Sequence, residues 1–97
     1  MLSEKIAAQG FAAVGSESRL SVLLSLVKAG DDGLTVGEIK NRLKIPASTL
    51  AHHLRHLADA ELIVQEKRGR EVINVANFGY IETLGKYILS VCCVDVN

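Results

Sequence analysis

Residues 46–64 read PASTLAHHLRHLADAELIV, and the fold turns on how that run divides. Leu50, Ala51, Leu54, Leu57 and Ala58 recur at helical spacing, an apolar stripe for a helix over about 47–60. Ser48, Thr49, His52, Arg55, His56 and Asp59 fall on its other side. Pro46 suits a helix's first turn, because its ring fixes φ near the helical value. At Leu62 the period changes. Residues 62–66 and 71–75 read as two strands, and the basic turn Lys67-Arg68-Gly69-Arg70 joins them as a hairpin.

Upstream, Ile6, Ala7, Gly10, Phe11 and Val14 give a first helix over about 3–14. Ser16 is placed to cap a second, 17–29, with Leu20, Leu23, Leu24 and Val27 as its apolar face. Gly30 is positioned for a left-handed C-terminal cap. Thr35 followed three residues later by Glu38 is a capping box opening a third helix, 36–43, with Val36, Ile39 and Leu43 on one side. Downstream, Ile81, Leu84, Ile88, Val91 and Cys92 form the stripe of a last helix over about 78–92. Tyr80, Tyr87 and Leu89 add apolar surface elsewhere, too much for the outermost layer of a monomer.

The order is four helices, a hairpin and a helix: mainly α with a β-hairpin wing, an α+β winged helix-turn-helix. At 97 residues one domain is expected over 1–97, with the helix-turn-helix at about 35–60 and the wing at about 62–76. Dimerisation helices are expected at about 3–14 and 78–93. No apolar run approaches a membrane span, and MLSEKIAAQG lacks the pattern of a signal peptide, so a soluble cytoplasmic protein with no membrane partner is expected.

Net charge is zero, but it is sorted along the chain. Residues 39–70 hold seven Lys/Arg against three Asp/Glu, and all three histidines. Such a block is the electrostatic footprint of a DNA-binding face. A recognition helix must bury one side and present small polar and basic side chains on the other, because the major groove admits a single helix. Ser48, Thr49, His52, Arg55 and His56 meet that requirement, and Lys67, Arg68 and Arg70 on the wing suit the DNA backbone or minor groove. A winged helix also serves as a protein-interaction module without an inducer site, and that alternative stands. The chain offers no nucleophile–base–acid set and no phosphate-cradling glycine loop, so no enzyme is expected.

The run from Pro46 to Val64 resembles the recognition-helix signature of ArsR/SmtB repressors: a small polar residue, His-Leu, a leucine three residues on, then Ala-Gly-Leu. Glu61 stands where that glycine is usual, and Ala51 where serine is common. Residues 15–23, with Arg19-Leu20, resemble the family's start of the second helix. The resemblance covers roughly residues 5–92. It implies a homodimer built on the first and last helices and a repressor on an inverted-repeat double-stranded DNA operator. It requires no cofactor. Members often release DNA on binding a metal or metalloid ion. One familiar site, Cys-Val-Cys at the start of the third helix, is absent from residues 34–38. Another, paired Asp/His and His/Glu ligands on the last helix, lacks its histidines.

Cys92 and Cys93 remain, and adjacent cysteines near this helix end resemble those of arsenite-responsive members. Thiolates are soft ligands suited to As(III), Sb(III) or a soft divalent metal. As(III) prefers three thiolates, and this chain offers two. Successive helical side chains diverge by about 100°, so both thiols reach one ion only if the helix frays; residues 94–97, VDVN, continue a helix poorly. Thiol oxidation is the other chemistry open to the pair, and buried packing is its alternative role. His52 and His56 share a face and could meet at zinc, but contact with DNA is the stronger reading. His53 points nearer the core, as a hydrogen-bonded structural histidine.

Overall fold

The computed structural model describes residues 2–93 and Asp95. Its helices are α1 (Glu4–Val14), α2 (Glu17–Ala29), α3 (Val36–Leu43), α4 (Ala47–Asp59) and α5 (Phe78–Tyr87). Strands β1 (Ile63–Arg68) and β2 (Glu71–Ala76) pair antiparallel between α4 and α5. No single helix among the described residues is long and apolar enough to cross a membrane.

The expected caps form. Ser3 and Ser16 side chains accept from the backbone N–H groups of Ile6 and Arg19. Thr35 accepts from Glu38 N–H at 3.1 Å while Glu38 accepts from Thr35 N–H at 2.9 Å, the reciprocal capping box. The Thr35 backbone N–H, and after it the Thr35 side chain, hold the Glu38 carboxyl below its ordinary pKa. Gly30 has positive φ, but its ψ of −152° is not that of a left-handed cap, and a single 3₁₀ turn, Gly30–Asp32, follows it.

The core is aliphatic: Val22, Leu23 and Leu26 of α2, Ile39 of α3, Leu50, Leu54 and Leu57 of α4, and Leu62 and Ile63 entering β1. The buried face of α2 is only partly the expected one: Leu23 is buried and Val27 packs against the core, as expected. Leu20 and Leu24 are exposed, and Val22, Leu23, Ser25 and Leu26 are buried. Two apolar stripes lie on this helix, and only one meets the domain. On α4, Ala51 is exposed rather than buried, and His53 takes an interior position. On α1 the buried residues are Ala7, Gly10 and Ala13, while Ile6 is exposed. Gly10 lets α5 approach: a Cβ there would lie 2.8 Å from Leu84 Cδ2.

The hairpin is longer and its turn tighter than expected. Lys67 and Arg68 belong to β1, Arg68 pairs with Glu71, and Gly69-Arg70 alone make the turn. Gly69 has φ +64° and Arg70 does not, the pattern of a two-residue II′ connection. The base of β2 is tied to the body. Leu34 and Asn74 exchange backbone bonds at 2.8 and 2.9 Å. The fully buried Asn74 side chain donates to Leu34 O and accepts from Gln65 Nε2, so its burial is compensated.

α5 ends at Tyr87, five residues earlier than expected. Tighter turns follow, with Leu89, Ser90 and Cys92 N–H groups donating three residues back. Ser90 Oγ donates to Tyr87 O at 2.6 Å, a side chain competing for a carbonyl the helix would use. The expected fraying of residues 94–97 lies, apart from Asp95, outside the described residues.

Candidate nucleic-acid interface

α3 and α4 meet through Lys44-Ile45-Pro46. Lys44 adopts the left-handed conformation at the end of α3, φ 56° and ψ 38°, and its N–H bonds Lys40 O. Pro46 stands just before α4, which starts at Ala47 as expected, and no side chain caps that end. This turn sets the angle at which α4 lies across α3 and α2. Leu50, Leu54 and Leu57, each at most 3% exposed, fix the rotation of α4 about its own axis.

That rotation sends one set of side chains outward. Ser48, Thr49, His52, Arg55, His56 and Asp59 are all exposed. The rings of His52 and His56 lie 6.3 Å apart in an edge-on arrangement, as positions i and i+4 require. Among the described residues no group of three or more His, Cys, Asp or Glu side chains is placed to hold a metal ion. Two imidazoles with no third donor make an incomplete zinc site.

His53 is buried, yet it is not the hydrogen-bonded histidine expected: its Nδ1 has no partner among the described residues. Burial lowers its pKa below the usual imidazole value, and the Arg19 guanidinium adds to the effect, with smaller contributions from His52 and His56. Arg19 itself is held by carbonyls at the end of α1, its Nε donating to Ala13 O at 2.7 Å.

The three basic wing residues divide into two kinds. Lys67 and Arg70 are exposed and form no ion pair among the described residues. Arg68 is engaged. Its Nη2 and Nε donate to Glu66 Oε2 at 2.8 and 3.2 Å, and its Nη1 and Nη2 donate to the carbonyls of Asp32 and Asp31 at 3.1 and 3.3 Å. Sequence reasoning missed this engagement because the acceptors are backbone oxygens 36 and 37 residues away.

Cys92 and Cys93 lie at the far end of the chain, beyond α5. Both are exposed free thiols, and their Sγ atoms are 3.3 Å apart. The end of α5 at Tyr87 removes the helical divergence that would have kept them apart. Nearby, Ile88, Leu89 and Val91 are 64–71% exposed. Ile88 and Val91, with Ala7, Ala8, Phe11 and Tyr87, border a groove of about 460 Å³ between α1 and this segment.

A helix-turn-helix domain family model matches residues 14–66, which run from the end of α1 into β1. An uncharacterised HTH-type transcriptional regulator of Bacillus subtilis (strain 168), YceK, is 33% identical over 67 residues, 69% of this chain and 66% of that protein, so the match spans just under two thirds of the relative's length. Among solved structures, reduced HlyU from Vibrio cholerae superposes with TM-score 0.70 and 26% identity, over 92% of this chain and 90% of that one. An ArsR-like transcriptional regulator from Rhodococcus sp. RHA1 shares the fold with TM-score 0.81 and 24% identity, over 94% and 82% of the two chains. The chain belongs to the helix-turn-helix domain family and has the winged-helix architecture of ArsR-type transcriptional regulators.

Proposed function

We propose that this chain is a dimeric transcriptional repressor that binds an inverted-repeat operator in double-stranded DNA. The observation that carries the reading is the division of α4. Leu50, Leu54 and Leu57 anchor it, and Ser48, Thr49, His52, Arg55 and His56 all stand in solvent on its outer side. Small side chains at the helix start permit close approach to base edges, and Arg55 and His56 further along suit phosphates or bases. Lys67 and Arg70 at the wing supply phosphate or minor-groove contacts.

One observation supports a homodimer through α1 and the α5 end: Ile88, Leu89 and Val91 are exposed beside the groove on α1. A second copy would supply the missing apolar contacts. Membership of a helix-turn-helix family favours a DNA-binding protein acting in the cytoplasm, with no enzymatic step and no required cofactor.

The vicinal thiols suit release by a soft ion. Two sulfurs 3.3 Å apart, each about 2.3 Å from one ion, subtend about 90° at it. That is narrower than a tetrahedral angle and suits a lone-pair ion such as As(III) or Sb(III) better than zinc. A third donor would come from solvent, a small thiol or the partner subunit.

The test is duplex binding by anisotropy across a salt series. Affinity should fall steeply as salt rises, and Arg55→Ala and Arg70→Ala should each weaken binding and flatten the slope. Absence of duplex binding at low salt would overturn the reading in favour of a protein-interaction module.

A further inference from the structure

Residues 31–34 lie between α2 and the Thr35 cap of α3, and the hairpin seizes them at several points. Leu34 pairs with Asn74 through the backbone and receives the Asn74 amide. Gly33 packs under β2. Arg68, near the hairpin tip, reaches the carbonyls of Asp31 and Asp32 while Glu66 on the same strand holds its other edge. These carbonyls follow the C-terminal end of α2, where a cation is favoured by the helix dipole and by unpaired acceptors. Four hydrogen bonds occupy Arg68, and a guanidinium has five N–H groups to give. An arginine so committed has little left for a phosphate.

We propose that Arg68 is a positioning residue: it clamps the wing to the segment that opens the helix-turn-helix, and leaves Lys67 and Arg70 to face the nucleic acid. The proposal rests on the reading that this hairpin approaches DNA. The clamp acts where leverage is greatest. Asn74 fixes the base of the hairpin, but a two-stranded ribbon is marginally stable alone and flexes toward its tip. A bond from the end of β1 to the protein body removes that flexing and holds the tip at one angle to α4. Glu66 contributes by orienting the guanidinium and neutralising its charge. Arg68 therefore adds order to the interface without adding a phosphate contact.

The experiment compares Arg68→Ala and Arg70→Ala with the wild type in two measurements. The first is anisotropy on a mixed-sequence 40-base-pair duplex across a salt series. The second is amide hydrogen exchange of residues 64–75 without DNA. Arg68→Ala is expected to weaken binding about three- to ten-fold with the salt slope kept, and to speed exchange in the hairpin. Arg70→Ala is expected to lower the slope by about 0.9 and leave exchange as it was. A slope lost equally in both variants would make Arg68 a phosphate contact and overturn the proposal. Unchanged hairpin exchange in Arg68→Ala would overturn it as well. Wild-type protein that ignores the duplex would sink the DNA reading, and the exchange measurement would still decide whether the clamp exists.

Discussion

Gly33 lies so close to Asn74 that a Cβ at position 33 would stand 2.5 Å from the Asn74 carbonyl oxygen. Its φ of +65° with ψ of −169° belongs to a region that is essentially glycine-only. Gly33→Ala therefore meets both backbone strain and a collision with strand backbone that cannot rotate away. Urea denaturation should show a loss of about 2–4 kcal/mol. Gly30→Ala, which has positive φ but open space around it, should cost less.

The capping box of α3 gives a milder expectation. Thr35→Ala removes the acceptor for Glu38 N–H and should cost about 1 kcal/mol in the same measurement. Glu38→Ala should lose part of that amount, since Glu38 serves the other half of the box.

His53 makes stability depend on pH, with a definite sign. Its pKa is lowered in the folded protein, first by burial and then by Arg19, so the unfolded chain takes up a proton at a higher pH than the folded one. Well above the unfolded imidazole's pKa of about 6.5 both states hold it neutral and stability is at its full value. As pH falls below that, protonation favours the unfolded chain, and stability declines until the lowered folded pKa is passed. The urea midpoint should drop between pH 7.5 and pH 5.5, and His53→Leu should shrink the drop. An equal drop in that variant would assign it to other groups.

The uncovered side chains after α5 predict an oligomer. Ile88→Asp combined with Val91→Asp should convert a dimer to a monomer in sedimentation velocity. Far-UV dichroism should change little, because these residues lie outside the buried core. A wild-type chain that sediments as a monomer would contradict the proposed assembly.

For the thiols, As(III) or Cd(II) should lower duplex affinity of the wild type, and Cys92→Ser with Cys93→Ser should abolish the response. If the double variant responds like the wild type, Cys92 and Cys93 are not the sensor.

Much of this architecture was legible in the sequence because periodicity and caps act locally. The stripe through Leu50, Leu54 and Leu57, the Thr35–Glu38 box and the glycine turn each appear in the structure. The misreadings share a cause. Leu20 and Leu24 repeat as regularly as Val22 and Leu26, and nothing local says which stripe meets the core. The stripe through Ile88 and Val91 announces an apolar face but not whether the same chain supplies its cover, so α5 appeared five residues too long. Ala51 turned outward because a small apolar residue tolerates water, whereas His53 lies on the core side as its place on α4 indicated. For Arg68, composition gave the charge, but only the tertiary structure brings it to the carbonyls of Asp31 and Asp32.

The joining of Leu34 to Asn74 and of Asp31 and Asp32 to Arg68 bears on how such proteins can be recombined. The reading head is not a contiguous cassette. Transplanting residues 35–76 without the approach loop would leave the donor's hairpin gripping the host's residues at 31–34. A chimera that keeps the donor's groove geometry has to carry residues 30–76 as one block, and swapped specificity should follow that block rather than α4 alone.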